Sequence, residues 1–286
     1  MTGYVHGYSV LEASRLCDQA RTLTELLHHD TSYPPGSLVL EAGCGVGAQT
    51  VTLLRNSPGA RFICVDVSDA SLEEARKRVE GTGLEGASFQ KADIFQLPFE
   101  RMSFDHVFVC FVLEHLQDPE GALRELREML KEGGTITVIE GDHGSAYFHP
   151  DSGPARRCID CLVRLQAGSG GDSLIGRRLQ PLLRSAGFKD VRVTPRMVYV
   201  DSSRPELVEG FTKKTFNAMV EGVREEAIKS GMISELEWDK GVADLHRTAG
   251  DGGTFCYTFF KAVAIRWNAL RGVSSAQSDS ILGANR

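Results

Sequence analysis

The sequence predicts an α/β fold: a doubly wound, mostly parallel sheet with an antiparallel last strand and a helical insertion between the last two strands. Three observations carry this. Short apolar runs alternate with helix-period segments from Leu38 to Glu140. A glycine-rich turn, Gly43-Cys44-Gly45-Val46-Gly47, joins the first run to a helix. About fifty residues of helical pattern separate the final two apolar runs, where a simple hairpin needs only a few.

The elements follow in order. Residues 10–29 place Ala13, Leu16, Ala20, Leu23 and Leu27 three or four apart, an amphipathic helix that Pro34-Pro35-Gly36 ends. Strands are expected at 38–41, 62–66, 88–92, 105–111 and 135–140. Ser68 can cap the helix after the second strand, and Gly81 can stop it. Asp118 before Pro119 is a helix start, and Leu123, Leu126 and Leu130 give that helix one apolar face. Further on, 154–167 and 173–186 read as helices and 191–200 as a strand. Residues 205–230 and 234–247 read as helices, the latter with a capping box at Ser234 and Glu237, and 255–267 as the last strand.

This organisation divides the chain into an N-terminal helical cap (1–35), a core (36–200), a helical insertion (201–253), a last core strand (254–271) and a tail (272–286). The insertion is expected to be a lid or the surface of a homodimer. The serine-rich tail is expected to be disordered.

Composition narrows the function. The 286 residues are 42% hydrophobic and 24% charged, enough for a large core without disulfides or metal. The formal charge of -6 and the lack of any long Lys/Arg run argue against a nucleic-acid partner. No stretch approaches the ~18 apolar residues of a spanning helix, and the first residues do not resemble a signal peptide, so a cytoplasmic setting without membrane partners is expected. Seven cysteines, an odd number, read as reduced thiols. Cys158 and Cys161 form a lone CxxC, better explained as two helix positions than as a zinc site, and no metal is expected.

The chemistry concentrates in Glu41-Ala42-Gly43-Cys44-Gly45-Val46-Gly47, which follows a strand and opens a helix. Glycines there allow close approach of backbone to ligand, and a helix start offers free N–H groups. The spacing departs from the G-x-G-x-x-G dinucleotide fingerprint. Asp66 ends the second strand, where a carboxylate can accept from two ribose hydroxyls. Asp93 follows the third strand. Glu41 has a second reading, as a cap on the amides of the glycine turn.

The E-x-G-x-G-x-G turn, Asp66, Asp93, the segment Ser103-Phe104-Asp105-His106-Val107, Leu113-Glu114-His115 and Leu130-Lys131-Glu132-Gly133-Gly134 together resemble the class I S-adenosylmethionine (SAM)-dependent methyltransferases. The likeness covers roughly 36–142. It is nearest the small-molecule branch with the ubiquinone and menaquinone C-methyltransferases and natural-product enzymes. It implies a Rossmann-like sheet and SAM as cofactor, held by Glu41, Gly43, Gly45, Gly47, Asp66, Val67, Asp93, Ile94 and Phe111. Tyr8, in the N-terminal segment, is expected to close over the cofactor.

The acceptor is then expected to be a small molecule methylated at oxygen or nitrogen, with carbon a further case. His143 is the candidate general base, because it would sit at the carboxyl end of the fifth strand with Asp142 beside it. Asp142, His143, Tyr147 and Phe148 are the candidate substrate contacts, and Tyr199, Phe211, Phe216, Tyr257 and Phe259 are further aromatic candidates. Two other classes stay open: a non-catalytic SAM-binding regulator and an NAD-dependent oxidoreductase.

Overall fold

The structure, a computed structural model, describes residues 22–267. Tyr8, the expected helix start at 10–21 and the tail beyond 267 lie outside the described residues. The strands are β1 (Leu38–Ala42), β2 (Arg61–Asp66), β3 (Ala87–Lys91), β4 (Phe104–Cys110), β5 (Leu130–His149), β6 (Lys189–Val200) and β7 (Thr254–Ile265). They form one sheet in the order β3-β2-β1-β4-β5-β7-β6. β1 pairs in parallel with β2 and β4, β2 with β3, and β4 with β5. β7 runs antiparallel between β5 and β6. The expected fold class is therefore the one observed.

The described part of helix α1 covers 22–28. It is followed by α2 (Ala48–Asn56), α3 (Asp69–Glu80), α4 (Pro119–Met129), α5 (Gly153–Gly168) and α6 (Leu179–Ser185). Caps hold the helix starts where the sequence places them. The Ser68 hydroxyl accepts from the Ser71 amide at 3.2 Å, and Asp118 accepts from the Gly121 amide at 2.7 Å. The central strands are apolar on both faces because both faces are covered. One core layer joins the sheet to α1, α2, α3 and α5; the other joins it to α4 and α6.

Three segments differ from the sequence reading. β5 continues to His149 instead of ending at Glu140. Its pairing with β7 runs to Asp142, skips 143–146 as a bulge and resumes at Tyr147. Gly141 and Gly144 interrupt the apolar run there, which hides the continuation. The helix expected over 173–186 is a short 3-10 turn, Ile175–Arg178, followed by α6. The helix expected over 205–230 is broken into α7 (Pro205–Leu207), a π-helical run (Val208–Asn217), α8 (Ala218–Glu221) and α9 (Arg224–Lys229). The Thr215 hydroxyl donates to the Gly210 carbonyl five residues back, at 2.8 Å, within that run.

Helix α10 (Glu235–Thr248) starts at Ser234, whose hydroxyl accepts from the Glu237 amide, and packs on α5. Their contact is so close that a Cβ at Gly241 would lie 2.4 Å from the Cys158 sulfur. Cys158 and Cys161 are thus buried packing residues of α5, and burial pushes the Cys158 thiol up to about 12. Among the described residues, no helix is long and apolar enough to cross a membrane.

Candidate active site

The strand order reverses at β1, which is flanked by β2 on one side and β4 on the other. In sheets of this kind ligands bind in the crevice at such a switch point. The glycine turn lies there. Gly43, Gly45 and Gly47 have φ of 76°, 52° and 72°, a region that side chains disfavour. Two of them are also needed for packing. A Cβ at Gly43 would lie 2.5 Å from Val112, and one at Gly47 2.9 Å from Ala75. A Cβ at Gly45 would meet nothing within 4 Å. Packing does not require a glycine's smallness at that position, so the space beside Gly45 at the switch point is open.

Asp66 closes one side of that space. One carboxylate oxygen accepts the Gly45 amide at 2.9 Å and the other accepts the Ser68 amide at 2.9 Å. Each oxygen retains acceptor capacity for a hydroxyl. Burial raises the Asp66 carboxyl, and the three backbone donors of Gly45, Val67 and Ser68 oppose that. Glu41 behaves differently from its reading as a cap on the turn: it is buried and accepts the Thr50 hydroxyl of α2 at 2.7 Å. Burial pushes its carboxyl up to about 7. The turn's amide is held by Asp66.

Asp93 is exposed after β3 and turns its carboxylate onto the Phe95 amide at 3.0 Å, while the next residue, Ile94, is buried. Val67 is half exposed. Phe111 follows β4 with φ of 57°, its amide bonded to the Ile139 carbonyl. The strained residue is held because Glu140 clamps the next turn: its Oε1 accepts the Val112 amide at 3.0 Å and the Leu113 amide at 2.8 Å. That same Val112 lies over Gly43. Sequence reasoning named the Glu140 segment without assigning this residue a role. The signal was a carboxylate ending the otherwise apolar strand Ile136-Thr137-Val138-Ile139.

The β5 bulge lies beyond the stretch of β5 that pairs with β4. His143 is buried, with Nδ1 2.8 Å from the Tyr257 hydroxyl and its ring 6.0 Å from that of Phe216. Tyr257 lies against Gly141 so closely that a Cβ there would be 2.4 Å from its hydroxyl. Asp142 does not orient His143. It makes a two-point ion pair with Arg177, at 2.6 and 2.7 Å. The orienting partner is Tyr257, brought from more than a hundred positions away by the β5–β7 pairing.

The aromatic candidates separate into two groups. Phe148, Phe255, Phe216, Tyr257, Phe211, Phe259 and Phe111 form a continuous series of ring contacts from the bulge to the glycine turn's side of the sheet. Tyr147 and Tyr199 do not join it. They align through Cys256 on the opposite face of the sheet, and Tyr147 is 64% exposed. The π-helical run supplies Phe211 and Phe216, and it also meets α1, since a Cβ at Gly210 would lie 2.3 Å from the Thr22 hydroxyl.

The left-handed glycine turn thus sits at the switch point of a Rossmann-like sheet, with Asp66 ending β2, Asp93 following β3 and an aromatic-covered bulge within β5. Residues 40–138 match the methyltransferase domain family. It is 32% identical over 221 residues to an uncharacterized 37.1 kDa protein in transposon TN4556 of Streptomyces fradiae, a match covering 75% of this chain and 61% of that protein. It is 34% identical over 126 residues to methyltransferase GfsG of Streptomyces halstedii, covering 44% of this chain and 45% of the relative. The chain therefore spans less than two thirds of the length of these relatives. Among solved structures, Haemonchus contortus phosphoethanolamine N-methyltransferase 2, in complex with phosphomonomethylethanolamine and S-adenosylhomocysteine, superposes with a TM-score of 0.53. That likeness, at 17% identity over 87% of this chain and 53% of the other, is one of fold.

Proposed function

We propose that the protein is a SAM-dependent methyltransferase that methylates an oxygen or nitrogen of a small molecule, a carbon acceptor being the remaining case. The observation that carries this reading is the open cradle at Gly45 beside the Asp66 carboxylate. When bound, SAM supplies an activated methyl group, so the chain's task is to hold, align and exclude water. Asp66 would accept the ribose hydroxyls. Asp93 and the Ile94 amide would meet the adenine edge, and the Phe111–Leu113 turn would wall the methionine end. The free thiols of Cys44, Cys64, Cys110, Cys158, Cys161 and Cys256 support a reducing, cytoplasmic setting.

On the acceptor side, His143 takes a proton from an acceptor that must lose one, with its imidazole fixed by the Tyr257 hydroxyl. The π-helical run and the aromatic series keep water from the reacting atoms. Calorimetric titration with SAM, S-adenosylhomocysteine and NAD tests the reading. Micromolar binding of the first two, followed by methyl transfer to an acceptor, is expected. NAD binding in their place would transfer the site to an oxidoreductase, and SAM binding with no transfer to any acceptor would favour a regulator.

A further inference from the structure

Buried polar atoms without partners are costly, so a group of them in one place calls for a ligand. Three such atoms belong to residues tied together at the carboxyl ends of β4 and β5. Glu140 is fully buried, and while its Oε1 holds the 112–113 amides, its Oε2 has no partner. Gln166 of α5 donates its amide N–H to the Glu114 carbonyl at 3.4 Å, leaving its own Oε1 buried and unpartnered. The Ser173 carbonyl accepts the His143 amide at 2.9 Å, and its buried hydroxyl has no partner. The amide of Asp172, next to Ser173, closes the ring by donating to the same Glu114 carbonyl at 2.8 Å.

The chemistry of the three is one-sided. A carboxylate oxygen and an amide carbonyl oxygen only accept, and a serine hydroxyl can accept. What they lack is N–H or O–H donors. Charge points the same way. Among the described residues, Asp142 is paired with Arg177, no ion pair reaches Glu140, and Glu114 pairs with His115 at 3.5 Å. Burial and the Glu114 charge both push the Glu140 carboxyl well above its usual range, so a bound cation would restore its ionised form. The faces of Phe216 and Tyr257, which pack on His143 and on each other, add a surface that favours a cation.

We propose that the methyl acceptor is an amine, bound as its ammonium form by the Glu140, Gln166 and Ser173 oxygens beside His143. This rests on the methyltransferase reading and narrows its acceptor. Before transfer the ammonium gives one proton to the His143 imidazole. The nitrogen lone pair then forms the new N–C bond as the carbon–sulfur bond of the donor breaks, its electron pair remaining on sulfur. An alcohol offers one donor where an ammonium offers up to three, so the site discriminates between them.

The test is calorimetry on the protein saturated with S-adenosylhomocysteine, using phenethylamine against 2-phenylethanol and putrescine against 1,4-butanediol. At least one amine should bind ten-fold or more tighter than its alcohol. Glu140→Gln keeps an acceptor for the 112–113 amides but replaces the Oε2 acceptor and removes the charge. It should lose that preference, and Ser173→Ala, which holds no part of the 111–113 turn, should weaken amine binding several-fold with S-adenosylhomocysteine affinity and melting temperature retained. Equal binding of amine and alcohol in both pairs would overturn the proposal. So would a Glu140→Gln effect confined to S-adenosylhomocysteine, which would make the cofactor's own ammonium the occupant. Failure of the wild-type protein to bind S-adenosylhomocysteine at all would instead overturn the methyltransferase reading.

Discussion

The Asp66 carboxylate accepts the Gly45 amide at 2.9 Å, so the end of β2 sets the shape of the turn that follows β1. In the proposed site, one residue would do two things: hold the turn's backbone and present acceptors to the cofactor. Asp66→Ala should weaken SAM and S-adenosylhomocysteine affinity by roughly 100-fold or more, since hydrogen bonds to a charged acceptor contribute about 1.5–3 kcal/mol each. Calorimetry of wild type and variant measures this directly; an unchanged dissociation constant would remove Asp66 from the binding site.

The three glycines of the turn should separate by their surroundings. Gly45→Ala meets no protein atom, so it should cost only the left-handed backbone penalty, about 1–2 kcal/mol, while abolishing SAM binding. Gly47→Ala brings a methyl to 3.0 Å from the Ala75 backbone and should lower stability more than Gly45→Ala does. Paired melting curves and titrations would show it. Equal melting temperatures with equal loss of binding would contradict this division.

His143→Ala should lower turnover by about 100-fold or more if it is the general base, with SAM affinity unchanged. Tyr257→Phe keeps the ring packing and removes the hydroxyl on Nδ1. It should lower kcat with little effect on the KM for SAM. A His143→Ala enzyme as fast as wild type would end the base assignment.

Glu41 makes stability depend on pH in an unusual direction. Its carboxyl is raised to about 7 by burial, so the folded state keeps a proton that the unfolded chain releases near pH 4.5. Its contribution is present below pH 4.5 and is lost as pH rises through 7. A raise of this size corresponds to about 3 kcal/mol at most. Glu41→Gln should retain the Thr50 contact and flatten the fall in melting temperature between about pH 4.5 and pH 7. Identical pH profiles for the two proteins would show that Glu41 is charged in the fold.

The elements of the proposed cofactor half were legible because their signals are local. Gly43, Gly45 and Gly47 alternate within five positions of the chain, Asp66 ends the apolar run of β2, and Asp93 comes shortly after β3. The order of the strands in sequence then puts them at one edge of the crevice. The acceptor half was legible only in outline. His143 could be placed beyond the apolar run of β5, but Asp142 was the obvious partner by adjacency, and adjacency misled: the bulge turns Asp142 to Arg177 and His143 to Tyr257. Tyr147 and Phe148 are neighbours too, yet strand pleating sends them to opposite faces.

The sequence by itself determined the alternation of strands and helices, the helix caps, the glycine turn and the carboxylates after β2 and β3, because periodicity and short motifs encode each within a few residues. Only the tertiary structure decided which groups meet across the sheet. The long antiparallel pairing of β5 with β7 carries Tyr257 to His143, and Glu140 reaches the turn after β4 from the neighbouring strand. These contacts depend on strand register and on the bulge at 143–146, which are set by the packing of the whole sheet and leave no local trace in the chain.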